Sequence, residues 1–86
     1  HKIYPNPVND YINFQFESLL SKQVSVSIFN LIGQQVWNND FSVIAGDNAI
    51  KLNLIESKEY NFSNGIYFVV IEDGKRSIKE KFTIIR

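Results

Sequence analysis

The 86-residue chain has no cysteine, no methionine, one histidine and two prolines, and its nine Lys plus Arg balance nine Asp plus Glu. Without cysteine there are no disulfides, thiolate metal sites or thiol nucleophiles, and no thiol reports on the redox compartment. A domain this small must then hold together by packing alone. Zero formal charge leaves no global field to draw the chain to nucleic acid or to an anionic membrane, so neither nucleic-acid binding nor membrane insertion is expected. No apolar run reaches the roughly 18 residues of a membrane-spanning helix, and no apolar segment at the start marks a signal peptide. The length leaves room for one domain, 1–86, and excludes a multidomain enzyme.

Catalytic constellations are missing as well. The only histidine is His1, at a terminus where a general base would be poorly held. Glu72 and Asp73 are consecutive, so a strand would aim them at opposite faces. Asp10, Asp40 and Asp47 lack the D-x-D-x-D-G spacing of a calcium loop. Gly33, Gly46, Gly65 and Gly74 are scattered, with no G-x-G-x-x-G to cradle phosphate. Asn61-Phe62-Ser63 matches a glycosylation sequon, which arises easily among ten asparagines and receives no role. No metal, cofactor or enzymatic activity is expected.

What is present is an apolar fraction of 44% with 14% aromatics, enough to offset an ordering cost of about 1–2 kcal/mol per residue. Apolar residues recur at period two, the signature of half-buried strands. Ile12, Phe14 and Phe16 alternate with polar residues, and so do Val24, Val26 and Ile28; the two segments read as neighbouring strands. Asn30-Leu31-Ile32-Gly33-Gln34 reads as a turn, followed by a strand over 35–41 with Val36 and Trp37 on opposite faces. A turn at Ala45-Gly46-Asp47-Asn48 precedes a strand through Ile50, Leu52 and Leu54. Residues 56–64 lose all periodicity and read as a loop. Residues 65–72 are almost continuously apolar, as expected of a central strand covered on both faces. Asp73-Gly74 is the pair that a type I′ hairpin wants, so a last strand over 76–85 should pair antiparallel with the central one. The expectation is an all-β, immunoglobulin-like antiparallel sandwich of about seven short strands. Periodicity goes no further than a small soluble β domain.

Two surface features carry functional readings. Tyr4, Tyr11, Trp37 and Tyr60 would suit a sugar-stacking platform, which makes a carbohydrate- or cell-surface-binding module the alternative function; half-buried packing is the plainer reading of such aromatics. Five of the nine cations, Lys75, Arg76, Lys79, Lys81 and Arg86, fall in the last twelve residues. Lys79 and Lys81 share a face with Thr83, opposite Phe82 and Ile84. They either protect an edge strand from aggregation or form an address read by a receptor.

The ordered motifs Tyr4-Pro5-Asn6-Pro7-Val8, Val26-Ser27-Ile28-Phe29-Asn30-Leu31-Ile32-Gly33-Gln34, Asn64-Gly65-Ile66-Tyr67-Phe68-Val69 and Lys81-Phe82-Thr83-Ile84-Ile85-Arg86 span nearly the whole chain. Together they resemble the type A C-terminal sorting domain of the type IX (Por) secretion system of Bacteroidetes-type bacteria. That resemblance implies a noncatalytic immunoglobulin-like module that directs an N-terminally attached cargo from the periplasm across the outer membrane. Its implied partners are the type IX translocon and a surface sortase that removes it, and its implied destination is the cell surface or the medium. By position, Tyr4, Pro5, Asn6 and Pro7 would lead into the domain, so 1–7 is expected to be a linker and the chain a fragment of a larger secreted protein. Gly33, Gly65, Tyr67, Gly74 and Lys75 would be motif positions, each with a purely structural reading as well. Lys81, Phe82, Thr83, Ile84, Ile85 and Arg86 would be the sorting signal. Self-association through a strand edge is a further expectation. The stretch 56–64 is longer than the connection that the family pattern leads one to expect.

Overall fold

A computed structural model describes residues 2–4, 10–18, 22–53 and 62–85. Their strands are β1 (Lys2–Tyr4), β2 (Tyr11–Ser18), β3 (Lys22–Asn30), β4 (Gln35–Val43), β5 (Gly46–Asn53), β6 (Gly65–Glu72) and β7 (Ser77–Ile84). Six are eight or nine residues long; β1 has three. They form two antiparallel sheets, ordered β1-β2-β5 and β4-β3-β6-β7. A constant-type immunoglobulin domain keeps its fourth strand with the first, second and fifth; here β4 joins the third, sixth and seventh instead.

The period-two residues face inward as expected. Ile12, Phe14 and Phe16 on β2 and Ile50 and Leu52 on β5 belong to one buried cluster with Val24, Val26 and Ile28 on β3, Tyr67, Val69 and Ile71 on β6, and Phe82 and Ile84 on β7. Burying a large apolar side chain contributes about 1.5–3 kcal/mol, so this single core is what offsets the ordering of the chain.

Four expectations change. β2 and β3 are not neighbours but lie in different sheets, because two strands facing each other across a core show the same alternation as two strands side by side. Residues 2–4 of the expected linker pair with β2, Ile3 opposite Phe14, while Pro5, Asn6 and Pro7 lie outside the described residues. On β4, Trp37 pairs with Ile28 but Gln35 with Phe29, so Val36 is an inserted bulge residue. That kink lets both Val36 and Trp37 pack against the core rather than on opposite sides of the strand.

The fourth change concerns β6. It lies inside its sheet as expected, hydrogen-bonded to β3 and β7, yet it is covered on one face only. Tyr67, Val69 and Ile71 are buried, whereas Ile66 is 38% exposed and Phe68 and Val70 are half-buried. A continuous apolar run therefore stands here for an interior strand whose outer face no layer among the described residues covers.

Candidate functional site: the final hairpin

The C-terminal motif folds as β7, an edge strand antiparallel to β6. Phe82 pairs with Tyr67 and Ile84 with Gly65; Phe82 is 3% and Ile84 0% exposed. The Phe82 and Tyr67 rings stack with centroids 5.7 Å apart. Lys81 is exposed beside Phe68, Thr83 is half-buried beside Ile66, and Ile85 is exposed. Arg86 lies outside the described residues. The strand thus has an inner row that belongs to the core and an outer row of Lys79, Lys81 and Thr83, as the alternation predicts.

Tyr67 also anchors the approach to β6. Its hydroxyl donates to the backbone carbonyl of Ser63 at 2.9 Å, and Phe62 meets its ring edge-on at 5.6 Å. A tyrosine near the start of the sixth strand that bonds back upstream is the corner device of immunoglobulin-type sandwiches. Phe62 itself is 2% exposed, although it belongs to the stretch that shows no period. Without a regular strand there is no alternation to mark it; only its size and its closeness to Tyr67 in the chain point to it.

The turn between β6 and β7 is not the expected two-residue type I′. That turn needs positive φ at both central residues, and among the described residues none other than glycine has positive φ. Instead β7 begins at Ser77, and residues 73–76 form a loop capped by Asp73. The Asp73 carboxylate accepts the backbone N–H of Arg76 at 2.7 Å and of Lys75 at 2.9 Å, while the Asp73 N–H donates to the Arg76 carbonyl at 3.1 Å. Lys22, 51 residues away in the chain, bonds the Asp73 carbonyl and lies 3.5 Å from its carboxylate. Gly74 takes φ 94° in this loop and Gly33 φ 86° in the β3–β4 turn. A Cβ at either would meet nothing within 4 Å, so the requirement is backbone conformation, worth about 1–2 kcal/mol, and not space.

The backbone donors, Arg76 first and then Lys75, hold the Asp73 carboxyl down from 3.8 to about 2. A carboxyl that titrates lower in the folded chain than in the unfolded one stabilises the fold above its unfolded pKa and loses that contribution as pH falls toward the folded value. Thermal midpoints followed by circular dichroism should therefore fall between about pH 4 and pH 2. Asp73→Ala should lower the neutral-pH midpoint and flatten that slope; an unchanged slope would show that Asp73 is not its source.

The aromatic platform does not assemble from the described residues. Trp37 faces inward opposite Ile28 and lies tilted against Phe41, centroids 6.3 Å apart. Tyr11 is on the outer face of the other sheet, under the Lys51 ammonium at 4.6 Å. The Tyr4 side chain and Tyr60 lie outside the described residues. Among those residues no three His, Asp or Glu side chains gather as metal ligands.

The motif positions converge on one hairpin and its neighbours: Gly65 and Tyr67 on β6, Gly74 and Lys75 in the loop, and 81–84 on β7, with Gly33 in the separate β3–β4 turn. No curated protein matches the chain. Residues 2–85 match the model of the secretion system C-terminal sorting domain, and the chain accordingly belongs to this family of noncatalytic type IX sorting signals, which take exported proteins across the outer membrane to the cell surface or the medium.

Proposed function

We propose that residues 1–86 are the detachable address of a cargo joined to their N-terminal side, read by the type IX translocon through the folded sandwich and its final strand. The observation that carries this reading is the two-sided character of β7: Phe82 and Ile84 tie it into the core while Lys81 and Thr83 look outward from a sheet edge. A receptor can therefore read the strand only as part of the folded domain. A sheet edge is also where a receptor strand or a second copy can add. A surface sortase then removes the domain. The module does no chemistry of its own.

The test is transfer. A periplasmic reporter fused ahead of residues 1–86, in a bacterium that carries type IX machinery, should become accessible to external protease and should arrive without the domain. A reporter that stays in the periplasm rejects the address reading; one that arrives with the domain attached rejects removal alone.

A further inference from the structure

We propose that the outer face of the β4-β3-β6-β7 sheet docks a protein surface that is apolar at its centre and carries a carboxylate rim along one edge, an inference that rests on the sorting reading and places this surface on the export machinery. The two sheets differ sharply on their outer faces. On the β1-β2-β5 sheet that face carries Tyr11, Gln15 and Glu17 from β2 and Asp47, Lys51 and Asn53 from β5, the polar surface expected where a sheet meets water. On the other sheet Phe29 and Phe68 are paired across β3 and β6, flanked by Ile66 and Val70 and continued by Leu31, which is 66% exposed. Phe29, Leu31, Phe68 and Val70, with Glu72 and Lys79, line a groove of about 380 Å³. A contiguous apolar stripe on an otherwise solvated face marks an interaction site.

Charge selects the partner. The β7 flank of the stripe carries Lys79 and Lys81, each exposed, opposite Val70 and Phe68. The Lys79 ammonium sits 4.8 Å from the centre of the Phe68 ring, which fixes a positive charge over the apolar surface rather than leaving it to wander in solvent. The opposite flank carries no cation: Asn38 donates to Ser27 at 2.8 Å and to Ser25 at 3.1 Å. Asp40 lies exposed beside Ser25, and Glu72 closes the β6 end of the groove, so a partner's carboxylates are repelled there. A partner that covers the stripe gains most by placing carboxylates along the β7 side, where they meet cations already held in position.

Surface display of the fused reporter tests this with substitutions outside 81–86. Lys79→Glu, and separately Ile66→Thr with Val70→Thr, should lower display on the order of tenfold while the purified domains keep their thermal midpoints. Lys79→Arg should display normally, as should Tyr11→Ser with Lys51→Ser on the other sheet. Substitutions in the machinery that restore display of Lys79→Glu should replace a carboxylate by a cation; restoration by any other kind overturns the carboxylate rim. Normal display of both face variants overturns the docking surface and leaves the sorting reading intact, whereas a wild-type fusion that never reaches the surface defeats the sorting reading itself. Two further results overturn the assignment of the occupant. One is a wild-type dimer in sedimentation that Lys79→Glu dissociates. The other is binding to vesicles of equal parts phosphatidylglycerol and phosphatidylcholine that Lys79→Glu abolishes.

Discussion

Removing residues 81–86 should abolish the cooperative unfolding transition of the domain. The deletion takes out Phe82 and Ile84, which are 3% and 0% exposed, and strips the pairing partners from Gly65 through Phe68. Losing a buried Phe or Ile side chain costs about 2–5 kcal/mol, so two of them, with the Tyr67 ring left unstacked, are comparable to the roughly 5–15 kcal/mol that holds a small domain together. Urea titration followed by circular dichroism reads the outcome directly; a truncated chain that still unfolds in one sharp transition would show that β7 is dispensable to the fold. Failure of a truncated cargo to be exported therefore cannot by itself distinguish a lost signal from a lost fold. Lys81→Ala and Ile85→Ala separate the two, since both side chains are exposed and their removal should change stability by no more than about 0.5 kcal/mol. Lower display in these folded variants would assign the reading to the strand's outward side chains.

Phe62→Ala should cost about 3–5 kcal/mol, although the residue lies outside any strand, just ahead of β6. Its ring is buried to 2% exposure and meets Tyr67 edge-on, so truncation leaves a cavity beside a core residue of β6. Tyr67→Phe is the informative companion. It keeps the ring and loses only the bond to the Ser63 carbonyl, at about 0.5–1.5 kcal/mol. Chemical denaturation of the two variants should rank them in that order, and equal effects would mean that the hydroxyl, not the ring packing, holds the corner.

These two residues also show where sequence patterns stop. Tyr67 lies in a run whose apolar character is plain, and its burial follows from alternation. Phe62 lies in a segment with no period, and what buries it is its place in the core cluster, edge-on to Tyr67. The loop at 73–76 is similar: Asp73-Gly74 announces a turn, but its length depended on whether Asp73 could act as a carboxylate cap for Lys75 and Arg76. Lys22 reaches that cap across 51 residues, a contact that no local pattern encodes.

The sequence by itself determined six of the seven strands, which face of β2, β3, β5 and β7 is buried, and the row of lysines on the outer face of the last strand, because these follow from a period of two and from composition. The ordered motifs by themselves also pointed to the sorting-domain family. Only the tertiary structure decided which strand lies beside which: alternation specifies a face and never a partner, so β2 and β3 look adjacent in sequence and stand in opposite sheets. The same ambiguity hid the outer face of β6. An apolar run reads alike whether both sides are covered or one is left open, and here the open side sets Ile66, Phe68 and Val70 beside Lys79 and Lys81 on the surface from which a receptor would read the domain.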